Sequence, residues 1–175
     1  MSLPTTYVLG LGNVLMGDDG FGPTVVQAFL AEYVVGPSVD VVDLGTPGLD
    51  LAPWLVDVDH AILIDTVRSK APAGTLRLYD KADVLRAGPS VRVGPHDPGV
   101  KEALLALELA GRAPRALTLI GVVPARSEMG VHLSAVVRAA VPRAVAAVVA
   151  ALEQADEIVA PRVAPAVDVC WWTRP

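Results

Sequence analysis

One stretch constrains this chain more than any other: Tyr7-Val-Leu-Gly-Leu-Gly-Asn-Val-Leu-Met-Gly-Asp-Asp-Gly-Phe-Gly22, with Pro23 directly behind it. Residues 7–11 are a short apolar run that predicts a buried strand, and the glycines after it are spaced for a tight turn into a helix. Pro23 suits the first helical position, and Val25, Val26, Phe29, Leu30 and Tyr33 recur along one helix face. The product is a β-turn-α unit with two adjacent carboxylates, Asp18 and Asp19, at the carboxyl end of its strand. The third glycine of a dinucleotide-binding G-x-G-x-x-G would fall at Leu15, so that fingerprint fails. Two carboxylates are also the wrong groups to set beside a pyrophosphate; they suit a cation or a proton.

Further along, residues 39–43 predict a second strand, and 49–56 a short helix packing Leu51, Trp54 and Leu55. Residues 61–64 form the continuous apolar run of a central parallel strand, ending on Asp65. Residues 75–79 alternate like a strand near an edge, and 81–86 predict one or two helical turns. Residues 88–94 read as a loop that delivers His96 to the start of a helix, with Asp97 as N-cap, Pro98 at the first position and Val100, Leu104 and Leu107 on the apolar face. Residues 116–123 predict another strand. From Ser134, a predicted N-cap, a helix runs to about residue 155, interrupted where Pro142 removes a backbone donor. Alternation of this kind implies an α/β sandwich, a mostly parallel sheet with helices on both faces. Such sheets bind ligands at the carboxyl ends of their strands, where Asp19 and Asp65 are expected. We read residues 1–160 as a single domain and 161–175 as a tail laid across the surface. Met16, Met129, Trp171 and Trp172 are read as packing or cover, and His60 as solvated. His132 and Glu128 fall in a loop that rims the cleft.

Composition narrows the function. The chain has 175 residues, 53% of them hydrophobic, enough for a substantial core. Its longest unbroken apolar run, residues 144–152, is about half of what a bilayer span needs, so a soluble protein is expected. The first residues lack a basic segment followed by an apolar one, and Cys170 is the only cysteine; both fit the cytoplasm. A net charge of −5 argues against nucleic acid and membrane as partners. Neither a Ser-His-Asp or Cys-His arrangement with local support nor an H-E-x-x-H zinc helix is present.

The pattern Gly10-x-Gly12-Asn13-x-Leu15-x-x-Asp18-Asp19-Gly20-x-Gly22 resembles the opening signature of the hydrogenase maturation endopeptidases, which trim the C-terminal extension from the large subunit of nickel–iron hydrogenases. Leu44-Gly45-Thr46-Pro47-Gly48 resembles that family's Gly-Thr-x-Gly loop, Ile62-Leu63-Ile64-Asp65 its acidic strand end, and Pro95-His96-Asp97-Pro98-Gly99 its histidine loop. A fifth match lies at residues 117–124, so the resemblance covers about residues 7–152. It implies a phosphorylase/hydrolase-like three-layer sandwich and an endopeptidase acting on a hydrogenase large-subunit precursor after nickel insertion. Carried over by position, the catalytic and metal-contacting residues fall on Asp19, Asp65 and His96, with Asn13, Asp18 and Thr46 in support. Two carboxylates and an imidazole suit a borderline divalent ion such as nickel or zinc; the resemblance implies nickel, presented by the substrate. Taken singly, Asp19 is a helix cap, Asp65 a loop anchor and His96 a packed loop histidine; expected together on one sheet edge, they point to a shared site. Asp18 is expected to hold the glycine turn through backbone N–H bonds. For Asn13 and Thr46, turn-forming bonds and substrate contact are equally compatible. Either the ion polarises the scissile carbonyl or a water, or a carboxylate is the general base. Two alternatives carry different products: a non-catalytic nickel-binding accessory protein, and a small-molecule metallohydrolase with a deep closed pocket.

Overall fold

The computed structural model describes residues 5–86 and 99–163. In chain order the elements are β1 (Thr6–Leu11), a 3-10 turn (Gly17–Gly20), α1 (Phe21–Glu32), β2 (Tyr33–Val35), β3 (Val39–Gly45), a 3-10 turn (Gly48–Leu51), α2 (Ala52–Leu55), β4 (His60–Thr66) and β5 (Leu76–Asp80). They continue with α3 (Lys81–Arg86), α4 (Val100–Leu109), β6 (Ala116–Val122), α5 (Ala135–Arg138), α6 (Val141–Gln154) and β7 (Val159–Pro161). Five strands form one sheet in the order β3-β1-β4-β6-β5. The first four run parallel, and β5 closes the edge antiparallel to β6.

Strand alternation builds the two cores. Val8, Ile62, Ile64, Ile120 and Val122 point to one face, where Val25, Val26 and Phe29 of α1 and Val141, Val145 and Val148 of α6 cover them. Leu9, Leu63, Leu117 and Leu119 point to the other, under Leu55 of α2, Val84 of α3 and Leu104 of α4. Because β4 is covered on both sides, residues 61–66 are all buried, and its sequence is continuously apolar up to Asp65. Helix α1, between β1 and β3, lies on one face and helices α3 and α4, between β4 and β6, on the other, so a crevice opens between the carboxyl ends of β1 and β4. That is the position where a doubly wound sheet takes its ligand.

Several local expectations are corrected. Helix α1 starts at Phe21, which makes Pro23 its third residue; the first turn tolerates this because its N–H groups have no intrahelical partner anyway. Tyr33 continues the helical stripe only in sequence. Its backbone is extended, and β2 pairs antiparallel with β7 while the Tyr33 ring stacks on Phe29 with centroids 5.3 Å apart. Helix α4 opens at Val100 with Gly99 as its cap, and Asp97 and Pro98, expected as cap and first helical residue, lie outside the described residues. The interruption at Pro142 is real: α5 ends at Arg138, and Pro142 sits in the first turn of α6. The 20 residues Ala135–Gln154 are apolar enough, by length and composition, to cross a bilayer. Here their stripe of Val137, Val141, Ala144, Val145, Val148 and Leu152 is buried in the first core, and Arg138, Arg143 and Glu153 lie exposed. Of the residues assigned to a tail, Pro161 belongs to β7, and Arg162 is tied to α1 by its N–H on Glu32 and its Nε on Leu30. Cys170, Trp171 and Trp172 lie outside the described residues.

Candidate active site

The site grows from the end of β1. At Gly12 the backbone has φ +126, and a Cβ there would stand 1.9 Å from the Asp19 carbonyl oxygen, so only glycine lets the chain double back this closely. The returning turn is locked by its own side chains. Asn13 N–H donates to Asp19 Oδ2 (2.9 Å), and Asn13 Oδ1 accepts Leu15 N–H (2.9 Å). Gly22, one turn further on, brings α1 against both strands. A Cβ there would meet the carbonyls of Leu11 at 2.2 Å and Ile64 at 2.4 Å, and this contact sets the acidic turn beside the end of β4.

Asp65 is the next-to-last residue of β4 and fully buried, with Oδ1 accepting Thr66 N–H at 2.5 Å. The Thr66 hydroxyl stands between the two acids, 3.4 Å from Asp19 Oδ1 and 3.5 Å from Asp65 Oδ1. The expected convergence of Asp19 and Asp65 is thus present, with Asp19 on the solvent side. His96 lies outside the described residues. Among the described residues no three His, Cys, Asp or Glu side chains gather as a metal-holding group.

Asp18 takes backbone N–H bonds, as expected. Its carboxylate is fully buried and accepts them from Ala125, Arg126 and Ser134, all in the segment after β6, which ties the glycine turn to that segment. Ser134 does stand at the N-cap position of α5, yet its hydroxyl bonds Asp18 instead of capping the helix. Thr66 and Ser134 are the residues that sequence reasoning missed in this role. Thr66 could be found only by its place next to Asp65, and Ser134 carried no local signal beyond a cap.

Asn13 and Thr46 meet across a pocket of about 340 Å³ between the carboxyl ends of β1 and β3, lined also by Gly12, Val14, Asp43, Leu44 and Gly45. Although the Asp43 residue is exposed as a whole, desolvation raises its carboxyl above the usual pKa, against the Gly45 N–H bond, which lowers it. A larger pocket of about 610 Å³ opens at the opposite, amino ends of the strands, among Thr5, His60, Thr118 and Glu157. His60 is therefore not simply solvated: it is half-buried, with Nε2 2.9 Å from Thr118 Oγ1, and burial lowers its pKa against the opposing pull of Glu157. No acid of the Asp19–Asp65 pair reaches that end, so the size of the pocket does not make it the reactive one.

Fold and site together define a doubly wound α/β protein whose paired acids sit at the switch point of its sheet. The family model described as hydrogenase maturation protease, HycI, matches residues 23–151, a span that begins just after the acidic turn. The chain is 32% identical over 155 residues to the hydrogenase 2 maturation protease of Escherichia coli K12, covering 89% of this chain and 94% of that protein. It is 34% identical over 143 residues to the hydrogenase expression/formation protein HupD of Rhizobium leguminosarum, covering 81% and 71%. Among solved structures, the hydrogenase maturating endopeptidase HybD from E. coli aligns with a TM-score of 0.81 at 31% identity, over 90% of this chain and 97% of that one. The chain belongs to the hydrogenase maturation protease family.

Proposed function

We propose that this endopeptidase acts in the cytoplasm on the precursor of a nickel–iron hydrogenase large subunit, removing its C-terminal extension once nickel is in place. The observation that carries this reading is the placement of Asp19 and Asp65, from two different strand ends, on either side of the Thr66 hydroxyl. In this reading Asp19, Asp65 and His96 complete the coordination of the nickel that the precursor brings, so an unloaded precursor is held too weakly to be cut. Asn13 N–H and Thr66 N–H fix the orientation of the two carboxylates, and Asp18 anchors the turn from behind. The pocket of about 340 Å³ under Asn13 and Thr46 is open to solvent, which favours a polypeptide over a small molecule that would be enclosed.

The mass of a precursor large subunit, measured before and after exposure to the chain with and without nickel, tests the reading. A loss equal to the extension, seen only with nickel, is expected; an uncut, nickel-loaded precursor makes the chain a binding protein instead. Asp19→Asn, Asp65→Asn and His96→Ala should each reduce cleavage to about one hundredth or less of wild type, the scale on which groups around a metal act. Cleavage at the wild-type rate by His96→Ala removes the imidazole from the mechanism.

A further inference from the structure

Both oxygens of Asp18 are engaged: Oδ2 by Ala125 N–H, Arg126 N–H and the Ser134 hydroxyl (2.8, 3.0 and 2.9 Å), and Oδ1 by Ser134 N–H (2.6 Å). The backbones add to this. Gly17 N–H donates to the Gly130 carbonyl at 2.7 Å, Gly130 N–H to the Leu15 carbonyl at 2.9 Å, and Asp18 N–H to the Arg126 carbonyl at 3.3 Å. Residues 15–18 and 125–134 are therefore bonded into one unit. On its outer side it holds three apolar side chains in water: Leu15, 52% exposed, Met129, 89%, and Val131, 36%. Met129 thus lies almost wholly in water, contrary to its sequence reading as packing or cover. A hydrogen-bonded loop that presents neighbouring apolar side chains to solvent has the character of a contact surface.

We propose that Leu15, Met129 and Val131 form an apolar lip that grips an extended, apolar stretch of the precursor polypeptide beside the bond to be cut. This rests on the reading under Proposed function, and continuity with the acid site identifies the occupant. Leu15 N–H is held by Asn13, whose own N–H holds Asp19, so the lip is two hydrogen bonds away from the acid. In the proposed complex, the polypeptide held at Asp19 continues over this adjoining loop. The charges at the lip, Arg126 and Glu128, face each other at 3.8 Å, which leaves apolar contact as its means of recognition. An unbranched thioether adapts to side chains of different shape, so Met129 suits a partner that slides into place.

The test is steady-state cleavage of a nickel-loaded large-subunit precursor by wild type, Met129→Ser, Leu15→Ser, Met129→Leu and, as a control, Leu109→Ser. Leu109 is equally exposed but ends α4, near the amino ends of the strands. Met129→Ser and Leu15→Ser should raise KM about tenfold, or about 1.4 kcal/mol, with kcat held. Met129→Leu should restore most of the loss, and Leu109→Ser should match wild type. Unchanged KM in both serine variants overturns the lip, as does a fall in kcat alone. If wild type leaves the precursor whole, the proposed function fails, and affinity for the same precursor, read by interferometry, decides the lip separately. Weaker binding by Met129→Ser then supports it, and equal or absent binding overturns it. A wild-type dimer that Met129→Ser dissociates also overturns it, because the occupant is then a second copy of the chain.

Discussion

Gly12 and Asp18 show how much of this site hangs on single residues. A methyl group at position 12 has nowhere to go, so Gly12→Ala should destabilise the protein by about 2–4 kcal/mol, read as a shifted urea midpoint with an unchanged slope. Asp18→Ala would leave three N–H groups and a hydroxyl without their acceptor, and a loss of about 3 kcal/mol or more is expected from the same measurement. The two adjacent acids were legible in the sequence as a pair, and so was the hold of backbone N–H groups on Asp18. The donors to Asp18 were not, because they come from a segment more than a hundred positions away that no local pattern connects to it. Thr66 was hidden for a different reason. A threonine after a strand-end aspartate is unremarkable until the fold sets a second carboxylate against its hydroxyl.

At the level of elements, what the sequence predicted well is what burial dictates. The continuous apolar run of β4 and the Val100, Leu104, Leu107 face of α4 are both found where expected, because each element is pressed against a core that admits one pattern. Leu152 of α6, fully enclosed between α1 and the sheet, belongs to the same logic. Leu152→Ala should cost about 2–5 kcal/mol in chemical denaturation, whereas Leu109→Ala should stay within about 0.5 kcal/mol. Ends and edges were harder. The three-residue strands β2 and β7 carry too little periodicity to be seen, and their pairing depends on a return of the chain from α6. The first residue of α1 was misplaced because Pro23 is a permissive signal: it allows a helix start nearby without fixing the position.

The whole molecule has two chemically distinct ends. At the carboxyl ends of the strands stand the acids; at the amino ends stand His60, Thr118 and Glu157, with Glu157 taking bonds from the hydroxyls of Thr6 and Ser38. The lowered pKa of His60 makes a prediction for the entire fold. Burial disfavours the imidazolium, so the contribution of the neutral ring to stability is present above the unfolded value of about 6.5 and is lost as pH falls through the lower folded value. The melting temperature of wild type should therefore begin to decline as pH falls below about 6.5, and His60→Gln should flatten that decline. The architecture was legible in the sequence because alternating strands and helices leave few ways to cover both faces of a parallel sheet. The order of assembly follows from one bond in it. Since the clamp on Asp18 is closed by Ser134, a growing chain on the ribosome has its acids early but their geometry late, after Ser134 has emerged into solution.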